Sequence, residues 1–243
     1  MAKEMQNLNT GYYQTLDENF NQALNLFEKN LSQNELISML EEGNIVQKQI
    51  AALKLSHIEN SNQAKILAKN LTGQDGKIRE AVSLKIFELM QNQECVRYFY
   101  DRTVYDIFLN AIIDVNSNVC RNIISAIKLM KINPDFTEYF TNKLVSLTEN
   151  LIEKVKEFDF QDGKYKVNKE VFKLYWCLET ICEFSGYIDI AIIKKITCQT
   201  AFINEYTIRE KTAKILSQNP AVPELDKLRN ILKNDKNYYV RRF

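Results

Sequence analysis

Turn-forming residues are scarce in this chain: its 243 residues include only 6 glycines and 3 prolines. Sheets joined by tight hairpins need more of both, because the favoured hairpin turns require backbone conformations that glycine supplies. The shortage favours long helices with short connectors. There is a single histidine, His57, which rules out a multi-histidine metal site. Any Cys–His or Ser–His–Asp constellation would have to be built around it. His57 falls in Leu53–Ile58, a predicted apolar helix face, and is read as a helix-edge or core residue. No Gly-x-Ser-x-Gly elbow and no phosphate-cradling glycine loop is present. No enzymatic activity and no cofactor are expected.

An excess of one charge is also missing, with 32 Lys+Arg against 31 Asp+Glu. A general nucleic-acid binder draws its affinity from a basic excess that releases counterions from phosphates, so nucleic acid is the less favoured partner. No run of 18 apolar residues occurs, so no segment is expected to span a membrane. The opening stretch MAKEMQNLNTGYYQTLDENF has no apolar core of a signal peptide, and a cytoplasmic location is expected. The glycosylation sequons at Asn30 and Asn70 then have no consequence. Cys95, Cys120, Cys177, Cys182 and Cys198 are odd in number and form no C-x-x-C pair. Cys177 and Cys182 lie about 500° apart around a helix and do not share a face. All five read as small buried apolar residues in a reducing compartment.

What the chain does have is helical periodicity. Leu16, Phe20, Ala23, Leu24 and Phe27 fall on one stripe, and so do Ile50, Leu53 and Ile58. The clearest case spans residues 135–158, where Phe136, Phe140, Leu144, Leu147, Leu151, Val155 and Phe158 recur every three or four positions. Asn133, Pro134 and Asp135 supply an N-cap, a first-turn proline and a first-turn acid. Polar clusters such as 71–76 and 160–163 separate the helices. Tyr187–Ile193 is the best strand candidate by residue type, but it lacks a pairing strand and is read as helix. The charge is uneven: residues 1–45 hold two Lys and seven acids, and residues 205–243 hold nine basic residues and five acids. That gradient is either uneven solvation of helix faces or a means of orienting a partner or a second copy.

One pattern recurs: an acid or Asn, a short polar turn, a β-branched residue, then often a basic residue opening an amphipathic helix. Asp235, Asn237 and Val240 are the sharpest copy, and Asp114, Asn116 and Val119 repeat them at the same spacing. Asp162 and Val167 keep two of the three positions. Looser copies run from Asn44 to Lys48, Asp75 to Arg79 and Asn204 to Arg209. The anchors Gln47, Ile78, Val119, Val167, Ile208 and Val240 are separated by 31, 41, 48, 41 and 32 residues. That range brackets a two-helix repeat of about 40 residues.

On these residues the chain resembles the HEAT-repeat family, over roughly residues 31–243. It departs from the family pattern at Gln47, Cys120 and Asn168, and in the length of the 135–158 helix. The resemblance implies an all-α, right-handed α-solenoid of about five to six helix pairs, with residues 1–30 as an N-terminal helical cap. It implies a ladder of turn Asp and following Arg along the stack. Lys48, Arg79, Arg209 and Arg241 stand at or near the Arg position, so a ladder role and a ligand-contact role are both open for them. A non-enzymatic scaffold gripping a protein or peptide on the inner, second-helix face follows, with Lys48, Arg79, Arg121, Lys169 and Arg209 as candidate contacts. Two other functions stand as alternatives by analogy: a DNA-binding enzyme of the alkylpurine DNA glycosylase kind, and a bilin-lyase-like HEAT protein. The acid pairs Glu41/Glu42 and Glu179/Glu183 are read as ordinary surface acids. Trp176 is read as buried between helices. The 98–105 aromatics and Tyr238–Phe243 are core or interface, the latter offering a surface for self-association.

Overall fold

The computed structural model describes residues 18–156, 169–220 and 222–243. Among them every regular element is helical and no strand occurs. Of the strand-like stretch 187–193, Tyr187 ends a 3-10 turn and residues 190–193 open helix Ile190–Thr200, capped by the Asp189 carboxylate on the Ala191 N–H. The chain divides into two compact units between Ile107 and Phe108, and each is described by itself.

The first unit opens with α1 (residues 18–28), followed by α2 (Gln33–Glu42), α3 (Ile45–Lys54), α4 (Ser61–Lys69), α5 (Gly76–Met90) and the short α6 (Gln93–Val96). Ser32 and Glu35 form a capping box that starts α2, each side chain satisfying the other's backbone N–H. Consecutive helices pack as pairs, α2 on α3 and α4 on α5. Alternate helices also pack, α2 beside α4 and α3 beside α5, which gives a layer of first helices and a layer of second helices. Leu40, Leu55, Leu67, Ile86 and Met90 are fully buried in this unit. Each such side chain contributes about 1.5–3 kcal/mol by leaving water. The Lys54 ammonium closes the end of α1 by donating to the Leu26, Phe27 and Lys29 carbonyls.

Helix α7 (Arg102–Ala111) runs across the division. The second unit then holds α8 (Ser117–Lys128), α9 (Pro134–Lys156), α10 (Lys169–Phe184), α11 (Ile190–Thr200), α12 (Tyr206–Ser217), α13 (Asp226–Lys233) and the one-turn α14 (Tyr238–Arg241). The pairs are α9/α10, α11/α12 and α13/α14. Second helices lie side by side, α8 on α10, α10 on α12 and α12 on α14, and α9 lies beside α11 among the first helices. The Phe136, Phe140 and Phe184 rings pack at centroid distances of 5.1–6.2 Å at the α9/α10 seam.

Several sequence expectations shift. The α1 stripe faces outward: Phe20, Leu24 and Phe27 are exposed, and Leu26 is the residue α1 buries. Leu16 and Phe158 lie outside the described residues, as does the motif copy over 162–167. Leu53 is exposed on α3, and because the helix ends at Lys54, His57 sits in a loop. His57 is therefore neither a helix-edge nor a core residue: it is exposed, beside Ser56 and Glu59. On α9, Leu147 is only half-buried and Thr148 occupies the core in its place. Thr148 is tolerated there because its hydroxyl donates to the Leu144 carbonyl. Four cysteines are buried as expected, but Cys198 is exposed.

Candidate partner-binding face of the second helices

The five described anchors share one position. Gln47, Ile78, Val119, Ile208 and Val240 are each the third residue of a second helix: α3, α5, α8, α12 and α14. Three residues before each anchor stands an N-cap whose side chain accepts a backbone N–H: Asn44, Asp75, Asn116, Glu205 and Asn237. The apolar anchors Ile78, Val119, Ile208 and Val240 are buried. Gln47 departs from them for a local reason. Its side chain closes a capping box by accepting the Asn44 N–H at 2.8 Å, while Asn44 accepts the Gln47 N–H at 2.9 Å.

The residue after the anchor locks the preceding turn. Arg79 donates to the Gly73 carbonyl at 2.7 Å, Arg209 to Ile203 at 2.9 Å, and Arg241 to Asp235 at 2.7 Å. In each case the acceptor lies six residues upstream. Cys120 takes the same place, its thiol donating to the Asp114 carbonyl at 3.1 Å, again six residues back. The replacement of Arg by Cys therefore changes the donor and keeps the contact. Arg209 also reaches Asp235 in the turn before α14, an ion pair that ties one second helix to the turn that starts the next.

These bonds separate the five candidate contacts. In the first unit, Lys48 is half-buried on α3 and Arg79 is 9% exposed, its guanidinium spent on the Gly73 and Gln74 carbonyls. In the second unit, Arg209 is 8% exposed and engaged by Ile203 and Asp235. Arg121 and Lys169 are exposed, Arg121 leaning on Ser117 and Asn118. The turn lock thus withdraws Arg79 and Arg209 from surface contact and leaves Arg121 and Lys169 accessible.

A second set of residues, not singled out by the repeat motif, joins the second helices of the second unit. Lys128 on α8 pairs with Glu183 on α10 at 2.9 Å. Glu179 on α10 lies between Lys211 and Lys214 on α12, at 2.9 and 2.8 Å. Glu210 on α12 pairs with Arg242, just after α14, at 2.5 Å. The Lys211 ammonium also sits 4.6 Å from the centre of the Tyr175 ring. Burial works against charge on Lys211 and Lys214, but hydrogen bonds to the Glu179 carboxylate outweigh it and hold both above the usual lysine value. Burial likewise pushes Glu179 up, and its two lysines hold it below the usual carboxylate value. The signal for this set is present in the sequence as Glu179/Glu183 and Lys211/Lys214, spaced four and three apart on facing helices. It becomes legible only once α10 and α12 are known to be neighbours.

Trp176 is buried as expected, between Phe172 and Tyr175. Among the described residues no cluster of His, Cys, Asp and Glu could hold a metal ion, and no helix is long and apolar enough to cross a membrane.

No protein-family description matches the chain, and no curated protein sequence matches it. Solved structures with a similar backbone course include two engineered proteins and a designed armadillo repeat protein. The first engineered protein is 12% identical, with a TM-score of 0.46 over 88% of this chain and 93% of that one. The second is 15% identical, with a TM-score of 0.48 over 88% and 95%. The armadillo design is 14% identical, with a TM-score of 0.47 over 87% and 96%. Likeness this distant says nothing of partners or chemistry.

Proposed function

We propose that this chain is a non-enzymatic scaffold of HEAT-type helix pairs that holds a protein or peptide partner on the face of its second helices. The observation that carries this reading is the run of ion pairs from α8 through α10 and α12 to α14. Charges tied from helix to helix are held in fixed positions before any partner arrives, which lowers the ordering cost of binding. Lys128, Arg121, Lys169 and the Tyr175 ring give the face a cationic and aromatic character suited to an acidic peptide. The HEAT assignment rests on two-helix pairing, on the capped anchors and on the Arg209–Asp235 ion pair. Arg79 and Arg209 serve this function indirectly, by fixing the turns from which the second helices start.

The test is selection of binders from a random peptide library against the whole chain, followed by calorimetric titration of the selected peptide. Arg121→Glu, Lys169→Glu and Lys128→Glu alter exposed side chains. Together they should weaken an acidic ligand by about tenfold or more without changing the helical spectrum. Selected peptides that bind all three variants as tightly as the native chain would place the site elsewhere. Failure to enrich any binder would remove the scaffold reading.

A further inference from the structure

Among the described residues, two groups of exposed large apolar side chains have opposite flanking charges. The first is α1. Phe20, Leu24 and Phe27 stand at i, i+4 and i+7, exposed by 67%, 47% and 61%, so they form one stripe along the helix. Leu26 is buried on the side of α1 where Gln22 and Ala23 are half-buried, and Lys54 ties down its end, while the stripe stays in water. The segment 18–45 that carries it holds the acids Glu18, Glu28, Glu35, Glu41 and Glu42 against the single base Lys29.

The second surface lies where α12 and α14 begin. Tyr206, Tyr238 and Tyr239 are exposed by 41%, 67% and 52%, and their rings touch, 6.4 Å between Tyr206 and Tyr239 and 5.8 Å between Tyr238 and Tyr239. Arg242 lies 5.6 Å from the Tyr239 ring, and Lys236 and Arg241 are exposed beside it. The nearby acids are engaged within the fold. Asp235 holds Arg209, Glu205 caps α12, and Glu210 holds Arg242. The charge left for a partner is positive.

We propose that these surfaces meet between copies: the α1 stripe of one chain seats on the tyrosine and arginine patch of the next. An amphipathic helix laid on an aromatic patch buries the three apolar residues of α1, and the acids of its segment face Lys236 and Arg241. Pairing either surface with its own copy would bring like charges together, so each contact joins the stripe of one chain to the patch of another.

The experiment is sedimentation velocity on the whole chain from about 1 μM to about 1 mM. Average mass should rise with concentration, and association should weaken about tenfold between about 0.05 and 0.5 M salt, as the flanking charges are screened. Two variants isolate the surfaces: Phe20→Glu with Phe27→Glu, and Tyr238→Asp with Tyr239→Asp. Each alone should remain monomeric with a native helical spectrum. Mixed in equal amounts they should form a dimer and nothing larger, because each retains one intact surface. Phe20→Leu and Tyr239→Phe should associate like the native chain. A native chain that stays monomeric at all concentrations overturns the proposal, and variants that associate normally do the same. A mixture that stays monomeric while the native chain associates shows that the two surfaces do not meet each other.

Discussion

Arg209 on α12 grips Asp235 in the following turn with two nitrogens, Nε at 2.6 Å from Oδ2 and Nη2 at 3.3 Å from Oδ1. Both side chains are nearly buried, and Nη1 of the same arginine holds the Ile203 carbonyl at 2.9 Å. One guanidinium therefore locks its own turn and binds the next repeat. Removing it leaves a carboxylate in a poorly solvated site. Arg209→Met should cost about 3 kcal/mol of unfolding free energy in a denaturant titration. Arg209→Lys should recover little, because an ammonium cannot reproduce the fork. In a cycle with Asp235→Leu, the double variant should lose less than the sum of the singles. Strict additivity would mean that the pair does not couple the repeats.

The same pair sets an acid limit on stability. Burial pushes the Asp235 carboxyl up, and the hydrogen bonds from Arg209 and the Asn237 N–H more than reverse this, holding it below the usual range. Glu179 is held low by Lys211 and Lys214, and Asp101 by Lys65. A carboxyl whose folded value lies below its unfolded value binds fewer protons when folded. Its stabilisation is fully present above the unfolded value, about 4, and is lost as pH falls through the folded value. The melting temperature should therefore hold level just above that point and fall steeply below about pH 4. In Asp235→Asn with Glu179→Gln the fall should be shallower. An unchanged acid slope in this variant would dissociate these carboxylates from the transition.

The turn motif was legible in the sequence because capping is local. An Asn or Asp three residues before a β-branched anchor specifies a helix start without knowledge of any neighbour. That is why Asn116 with Val119 and Asn237 with Val240 could be aligned directly. The outward face of α1 was not legible. Phe20, Leu24 and Phe27 satisfy the same period as a core stripe, and periodicity reports that a face exists without saying what it meets. The charged face of α10 and α12 was hidden for a related reason. Glu179 and its lysines are 32 and 35 residues apart, and only the stacking of helix pairs brings them together. Pairing of Arg209 with a turn Asp was among the readings open in the sequence, and the structure shows its geometry.

Gly43 is required by close approach rather than by its backbone angles. It sits between α2 and α3 with φ near −68°, a conformation open to any residue. A Cβ placed there would lie 2.4 Å from the Met39 carbonyl oxygen and 2.8 Å from Gln47 Cβ. The first obstacle is backbone that ends α2, and the second belongs to the capping box that starts α3. Neither can move without loosening a helix terminus. Gly43→Ala should lower unfolding free energy by about 1–3 kcal/mol, the range for forced overpacking. Elsewhere the same change is harmless: Gly73 has open space around its position, and Gly73→Ala should be near neutral. Equal effects at the two sites would refute the steric account.

The cysteines divide by burial, and reactivity should follow that division. Cys95, Cys120, Cys177 and Cys182 are buried, while Cys198 on α11 is exposed. Burial pushes the Cys120, Cys177 and Cys182 thiols up to about 12, so little thiolate forms at neutral pH even where reagent could reach them. Cys120 is also held by its contact with the Asp114 carbonyl. Titration of the native chain with an aromatic disulfide reagent near pH 8 should therefore give one fast equivalent, and all five should react in denaturant. Cys198→Ser should abolish the fast phase without changing the denatured total beyond that one thiol. A fast phase that survives the substitution would show that α6, α8 or α10 opens on the reagent's timescale, contrary to the packing that buries their thiols.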